Sequence, residues 1–86
     1  MKLHIELLEP FDREISQLDF ELAGRTVGDL IGELFADQQD LQDKLVEGEQ
    51  IAEGFFVLVN GLRVDNLQAE LNDGDEVVFS RTVSGG

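Results

Sequence analysis

One segment of this 86-residue sequence has apolar residues at helical spacing and is long enough to lie across a sheet. The other segments must pack against this helix. In the segment TVGDLIGELFAD (26–37), apolar residues recur at i, i+3, i+4, i+7 and i+8, the spacing of a single helical face. They are Val27, Leu30, Ile31, Leu34 and Phe35.

The ends and the glycines of this predicted helix also carry information. Thr26 is the expected N-cap, and Asp29, three residues later, completes a capping box and favours the helix dipole. Gly28 and Gly32 each weaken the helix by roughly 1 kcal/mol relative to alanine. Their position on one face indicates a close backbone approach there.

The segments before the helix alternate with a period of two, which is typical of strands. The first nine residues place Leu3, Ile5 and Leu7 on one face, and this strand is expected to end at Pro10. The segment SQLDFELA (16–23) alternates in the same way and predicts a second strand. The two strands are expected to form a hairpin.

Strand patterns return in the second half of the chain. Residues 38–54 are rich in acids and predict a short helix followed by a loop. The stretch GFFVLVNGLRV has five consecutive apolar residues and then Asn60-Gly61, the strongest short hairpin signal. A strand that is apolar on both faces is central or lies under another segment.

The last part of the chain predicts a turn of helix, a tight turn and a final strand. The helical turn is expected around Leu67 and Leu71, and the tight turn at Asp73-Gly74. The final strand, EVVFSRTV, turns Val77 and Phe79 to one face and Val78 and Ser80 to the other.

This order of elements predicts an α+β fold. One main helix packed across a mixed sheet of about four to five strands, with the final strand beside the first, is typical of the ubiquitin-like β-grasp. The order alone also fits other α+β folds. Residues 1–80 are expected to form the β-grasp domain and residues 81–86 a flexible C-terminal tail.

The charge balance restricts the partners. Nineteen acids against six bases give a net charge of −13, which repels phosphate backbones and anionic lipids, so nucleic-acid and membrane partners are not expected. The charge is consistent with solubility or salt adaptation, and equally with steering toward a basic partner. With no apolar run of membrane-spanning length and no signal-peptide pattern, the expected location is the cytoplasm.

The residue types exclude several kinds of site. The absence of cysteine removes disulfides, thiolate metal sites and Cys nucleophiles. His4 has no second His or Cys to share a metal, and the acid runs lack the spacing of a calcium loop. Neither a Ser-His-Asp set nor a phosphate-binding glycine loop is recognisable, so the chain is not expected to be an enzyme by itself or to bind a cofactor.

The end of the sequence carries its most specific pattern. DGDEVVFSRTVSGG, after a VNG hairpin and a TVGDLIGEL helix, resembles the small subunit of molybdopterin synthase and the related prokaryotic ubiquitin-like sulfur carriers. The resemblance implies that an E1-like adenylating enzyme uses ATP to adenylate the Gly86 carboxylate, which becomes a thiocarboxylate and donates sulfur. It also implies a second partner, the large subunit of molybdopterin synthase, whose active site the tail enters.

The residues of the tail suit this role. Gly85 and Gly86 lack a Cβ and fit a passage as narrow as bare backbone. Extended, residues 81–86 span about 20 Å, enough to reach a deep active site while the domain docks outside. The expected threading residues are Arg81, Thr82, Val83, Ser84 and Gly85, with Arg81 forming a salt bridge to the partner, Val83 anchoring by its side chain and Ser84 by hydrogen bonds.

A partner surface is expected on the sheet face turned away from the helix. Phe56, Leu58 and Val78 are its candidate residues, because their neighbours in sequence can fill the core instead. The alternative is that Phe56 and Leu58 lie beneath residues 38–54. The free protein is expected to be a monomer.

Three functions remain open from the sequence. The first is a sulfur carrier acting as the small subunit of molybdopterin synthase, or supplying a thiamine, tRNA or other pathway. The second is a ubiquitin-like modifier joined to lysines, a role that the acidic, lysine-poor composition suits. The third is an interaction domain in which the terminal glycines are a frayed end.

Overall fold

The structure is a computed structural model that describes residues 1–8 and 17–81, with the backbone alone for Arg81. The strands of its larger sheet are β1 (Lys2–Leu7), β2 (Gln17–Glu21), β5 (Phe55–Val59), β6 (Leu62–Arg63) and β7 (Glu76–Arg81). The helices are α1 (Val27–Leu34) and α2 (Gln39–Leu45), and a small hairpin joins β3 (Val46–Glu47) to β4 (Gln50–Ile51).

The larger sheet is mixed, with the order β2-β1-β7-β5-β6 in the described part of the chain. The final strand β7 lies in the middle, parallel to β1 and antiparallel to β5. The β1–β2 and β5–β6 pairs are antiparallel hairpins. This arrangement, with α1 packed across one face, confirms the predicted α+β fold of the ubiquitin-like β-grasp type.

The core lies between α1 and the inner face of the sheet. Val27, Leu30, Ile31 and Phe35 of the predicted apolar stripe are buried, and Leu34 packs against the same cluster while partly exposed. The Phe35 and Phe79 rings meet edge to face, with centroids 5.5 Å apart, which joins the helix end to the central strand. The inward residues of the sheet are Leu3, Ile5, Leu7, Val57, Val77 and Phe79.

The start of α1 has the predicted capping box. The Thr26 hydroxyl accepts a hydrogen bond from the Asp29 N–H at 3.1 Å, and the Asp29 carboxylate accepts from the Thr26 N–H at 3.1 Å. The Arg25 N–H also donates to Asp29, at 3.0 Å. These backbone donors hold the pKa of the Asp29 carboxyl below its usual value.

The helical turn expected around Leu67 and Leu71 is wrong. Residues 65–72 form turns and isolated bridges, one of which pairs Thr26 with Glu70. The physical reason is that the first N–H groups of α1 need acceptors. The Val27 N–H donates to the Ala69 carbonyl at 3.0 Å and the Gly28 N–H to the Leu67 carbonyl at 2.8 Å, so this segment follows the helix start without forming a helical turn.

The loop expected after α2 is also more ordered than predicted. The β3–β4 hairpin replaces part of it, with Val46 opposite Ile51 and Gly48 at a positive φ of 65°. The buried residues Leu45 and Ile51 join the core, which ties residues 38–54 to the helix face of the sheet.

The two predicted tight turns are confirmed. Asn60 and Gly61 both have positive φ, 52° and 84°, as the two central residues of a type I′ hairpin require. Gly74 has a φ of 88° in the turn before β7. The buried Asp75 carboxylate links the two turns, because it accepts from the Asn60 side-chain amide at 2.9 Å and from the Asn72 N–H at 2.8 Å.

Some of the predicted boundaries differ or lie outside the described residues. The predicted helix 26–37 ends at Leu34, with Phe35 as its C-cap. The expected strand end at Pro10 falls in the undescribed segment 9–16. Within residues 1–8 and 17–81, none of the helices has the length and apolarity needed to cross a membrane.

The two glycines of α1 give a matched stability test. A Cβ added at Gly32 meets no atom within 4 Å, whereas one at Gly28 lies 3.2 Å from the Leu67 carbonyl oxygen. The predicted close approach is therefore confirmed at Gly28 and wrong at Gly32. We expect Gly32→Ala to raise the free energy of unfolding by about 0.5–1 kcal/mol, because alanine favours helix.

We expect Gly28→Ala to gain less than this or to destabilise, since the Leu67 carbonyl is held by its hydrogen bond to the Gly28 N–H. Urea unfolding followed by circular dichroism measures both variants. Equal gains from the two substitutions would contradict the packing described around Gly28.

Candidate docking face and carboxyl-terminal strand

The predicted tail starts from the centre of the sheet. β7 lies between β1 and β5 and ends at Arg81, whose backbone pairs with Phe55. Arg81, assigned to the tail from sequence, is thus part of β7 in its backbone. Residues 82–86 lie outside the described residues, so the roles predicted for Thr82, Val83, Ser84, Gly85 and Gly86 stay predictions.

The candidate surface residues Phe56, Leu58 and Val78 lie on the outer face of the sheet, away from α1. Leu58 is directly opposite Val78 on the neighbouring strand, while Phe56 is opposite Ser80. All three candidates are half-buried, and none belongs to the core cluster or packs against it. Their alternation with the buried Val57, Val77 and Phe79 explains this placement.

The alternative position for Phe56 and Leu58, beneath residues 38–54, is not what the structure shows. Leu45 and Ile51 of that segment are buried in the core, on the opposite side of the sheet. The outer face over β5 and β7 is therefore available to a partner, as far as the described residues define it.

Sequence reasoning missed one residue of this surface, Leu8. Leu8 follows the inward-facing Leu7, so alternation turns it to the outer face, and its N–H donates to the Phe79 carbonyl at 2.9 Å, which continues the β1–β7 ladder. Its side chain is 39% exposed. The signal was present in the sequence, because two consecutive leucines at a strand end must face opposite ways.

We call Leu8, Phe56, Leu58 and Val78 the apolar patch. Leu8 and Phe56 lie at the end of the sheet where β7 finishes, since β1 and β7 are parallel and β5 starts there. The apolar patch therefore adjoins the point where the chain continues toward Gly86.

A row of paired residues crosses the outer face through the apolar patch. Glu6 is opposite Val78, Val78 opposite Leu58, and Leu58 opposite Arg63. Arg63 also lies over the Phe56 ring, with its guanidinium carbon 4.5 Å from the ring centroid. Its Nε donates to the Asp65 carboxylate at 3.1 Å, which holds the guanidinium beside the ring.

The β1–β2 end of the outer face is polar. His4 Nδ1 and the Asp19 carboxylate are 2.7 Å apart, and the Lys2 ammonium is 3.8 Å from the other oxygen of Asp19. The hydrogen bond with His4 is the main cause that lowers the pKa of the exposed Asp19 carboxyl, and the Lys2 charge adds to it. His4 points outward, as its alternation with Leu3 and Ile5 predicts.

The outer face has a depression at its polar end. Its depression of about 410 Å³ is open and lies over His4, Glu6, Asp19, Glu76 and Val78. In the described ranges, no group of three or more His, Asp or Glu side chains is arranged to hold a metal ion. An apolar patch beside a central strand end suits contact with another protein.

Comparison with known proteins agrees with the fold and with the resemblance. Residues 8–86 match the model of the ThiS family. The comparison with curated proteins gave no match.

Three solved structures are similar over nearly the whole chain. The Haloferax volcanii HVO 2177 protein is 29% identical, with a TM-score of 0.80, covering 100% of this chain and 87% of its own. A putative molybdopterin converting factor, subunit 1, from Pyrococcus furiosus is 29% identical, with a TM-score of 0.74 and coverage of 95% and 98%. SAMP1 of Haloferax volcanii, 22% identical with a TM-score of 0.78 and full coverage of both chains, shares the fold.

The His4–Asp19 pair predicts a pH dependence of stability. Because the folded pKa of Asp19 lies below its ordinary value of 3.8, the carboxylate stabilises the fold above that value. This contribution is lost as the pH falls from about 4 through the lowered folded pKa. We expect Asp19→Asn to lose less stability than the wild type over this acid range.

Thermal unfolding at pH 7 and at steps below pH 4 measures the difference. Asp73→Asn is not a neutral control, since Asp73 accepts a hydrogen bond from the Lys2 N–H at 2.6 Å. Asp37→Asn, at an exposed position in the turn after α1, serves instead. Parallel loss of melting temperature in Asp19→Asn and the wild type would show that the pair does not stabilise the fold.

Proposed function

The chain belongs to the ThiS family, and we propose that it is a sulfur carrier whose Gly86 carboxylate is adenylated and then thiocarboxylated. The observation that carries this proposal is the family match, which extends through the fold to Gly86. The chain itself performs no catalysis in this proposal. Its partners are an E1-like adenylating enzyme, which consumes the ATP, and a larger enzyme that receives the sulfur.

The chemistry needs an activated carboxyl group because a carboxylate is a poor electrophile. Attack of the Gly86 carboxylate on ATP forms an acyl adenylate and releases pyrophosphate. A sulfur nucleophile at the oxidation level of hydrosulfide then attacks the carbonyl carbon, and AMP leaves with the bonding electron pair. The resulting thiocarboxylate carries one sulfur in place of one oxygen and can transfer it to an acceptor.

The fold suits a carrier that must reach into another protein. Because β7 is held by β1 on one side and β5 on the other, the chain leaves the sheet at a fixed point next to the apolar patch. Residues 82–86 span about 17 Å when extended, so docking through the apolar patch brings Gly86 to a site at that depth. The glycines at the end, without a Cβ, pass through a narrow channel.

Within the sulfur carriers, we propose that this chain is the small subunit of molybdopterin synthase, with the synthase large subunit as its second partner. The likeness to a putative molybdopterin converting factor, subunit 1, at 29% identity over most of both chains supports this assignment. The sulfur would enter the molybdenum or tungsten cofactor. Both partners act in the cytoplasm in this proposal.

A second candidate function is that of a protein modifier, in which a target lysine replaces AMP and forms an isopeptide bond. The composition favours it, because a modifier that reacts with lysines would find few of them on its own chain. Lys2 and Lys44 are the lysines of the sequence. The adenylation step is common to both functions. The nucleophile that follows, sulfur or amine, separates them.

Intact mass spectrometry of the protein produced with its own adenylating enzyme tests the proposal. We expect the mass of the wild type to show one oxygen replaced by sulfur. Deleting Gly86 should abolish the change, since the carboxylate then falls about 3.5 Å short of the reacting atoms. The core lies within residues 3–79, so the melting temperature of the deletion variant should match that of the wild type.

The outcomes distinguish the candidates. A covalent adduct to other chains supports the modifier. An unchanged wild-type mass, with active enzyme and ATP present, contradicts both forms of the proposal and leaves an interaction domain.

A charge in the apolar patch should disrupt docking. We expect Phe56→Asp to weaken binding to the adenylating enzyme by about tenfold or more, because it places a carboxylate in the surface that docking removes from water. Analytical ultracentrifugation of the mixture measures the complex. Leu62→Asp is the matched control, as Leu62 is 73% exposed on β6 and lies outside the apolar patch.

Unchanged folding is verified for both variants by circular dichroism. If Phe56→Asp and Leu62→Asp bind equally well, the apolar patch is not the docking surface.

A further inference from the structure

The outer face of the sheet has opposite charges at the two ends of the apolar patch. Glu6 lies at the β1 end of the row that crosses the patch, and Arg63 lies at the β6 end. Neighbouring strands are about 4.8 Å apart, so the backbones of these two residues are roughly 14 Å apart. The row therefore has a carboxylate at one end, two apolar side chains in the middle and a guanidinium at the other end.

The negative end of the row, Glu6, is half-buried and lines the open depression of the outer face. Within residues 1–8 and 17–81, the Glu6 carboxylate has neither a hydrogen bond nor an ion pair. The nearby side chains of Lys2 and His4 are directed to Asp19 instead. Glu76, opposite His4 on β7, adds a second carboxylate to this end of the face.

The positive end is held in place on the patch itself. The Arg63 side chain is 56% exposed, stacks on Phe56 and uses its Nε for Asp65. Its terminal amino groups remain as donors in a planar fork that matches a carboxylate. Stacking and the Asp65 contact pre-orient that fork, so less side-chain entropy is lost when a partner binds.

The positive charge of Arg63 is opposite in sign to the net charge of the chain. With a net charge of −13, long-range attraction favours a partner whose surface is basic. A basic surface brought onto the apolar patch would place its cations against Arg63, where like charges repel. A partner that fits must therefore interrupt its basic surface with a negative group at this point.

We propose that Glu6 and Arg63 set the orientation of the docked partner, which has an apolar centre, a lysine or arginine facing Glu6 and a carboxylate facing Arg63. Rotating this partner by 180° on the patch would place its basic side chain against Arg63 and its carboxylate against Glu6, so that like charges meet. This inference rests on the proposed function and deepens it, since the partner is the adenylating enzyme.

The orientation matters because the reach from the sheet to Gly86 is limited. An apolar patch alone permits several rotations of the partner about the face normal. The five residues beyond Arg81 span about 17 Å, too little to compensate for a reversed docking. The two charges select the rotation in which the end of β7 points into the partner's active site.

The test compares two charge reversals with the same net effect. Arg63→Glu and Lys44→Glu each change the net charge from −13 to −15, but Lys44 lies on α2, which packs on the other side of the sheet. The readout is carrier-dependent exchange of pyrophosphate into ATP by the adenylating enzyme of the same organism. We expect Arg63→Glu to lower kcat/KM for the carrier about tenfold or more, and Lys44→Glu to leave it within about twofold.

The sign of the effect is diagnostic. Were net charge alone to govern association with a basic enzyme, both reversals would raise the rate or leave it unchanged. Equal behaviour of Arg63→Glu and Lys44→Glu would therefore overturn the proposed orientation while leaving the sulfur-carrier function intact. Wild-type protein that supports no exchange would overturn the function itself, and the orientation with it.

Further variants separate orientation from folding. Arg63→Gln removes the charge without adding a carboxylate, and it should lower kcat/KM less than Arg63→Glu while circular dichroism stays native. Glu6→Lys should also lower kcat/KM about tenfold, and Glu70→Lys, at an exposed site beside α1, is its control. A carboxylate-to-lysine change on the enzyme that restores exchange with Arg63→Glu would identify the facing residue; if no such change restores it, the paired contact is wrong.

Discussion

The position of β7 between β1 and β5 is the constraint on which the rest of the structure depends. Its backbone is paired on both sides, parallel to β1 and antiparallel to β5, and its inward residues Val77 and Phe79 are fully buried. A central strand cannot shift by one residue without moving its apolar side chains to the other face. The start of the tail is therefore fixed relative to the sheet to within one residue.

The same strand organises both faces of the sheet. On the inner face, Phe79 packs edge to face on Phe35 and links the strand to α1. On the outer face, Val78 lies between Glu6 and Leu58 and so forms the middle of the row that ends at Arg63. One strand thus couples the stability of the domain to the geometry of the surface proposed for docking.

The first N–H groups of α1 are satisfied partly by local acceptors and partly by distant ones. The Thr26–Asp29 capping box was readable from two residue types three positions apart, and it is present. The remaining donors of the first turn, the Val27 and Gly28 N–H groups, find carbonyls at Ala69 and Leu67. No sequence pattern at 65–72 indicates that its carbonyls accept hydrogen bonds from α1, which explains why a helical turn was wrongly predicted there.

Local chemistry was sufficient for the elements that depend on near neighbours in the chain. The apolar stripe of α1, the Asn60-Gly61 turn and the alternation of β1 and β7 follow from side-chain spacing and positive φ, so the sequence by itself determined them and the α+β class. Only the tertiary structure decided which outward residues become neighbours. The contact of Arg63 with Phe56 and the pairing of Val78 with Leu58 depend on the register of β5, β6 and β7, and register is set by pairing between distant parts of the chain.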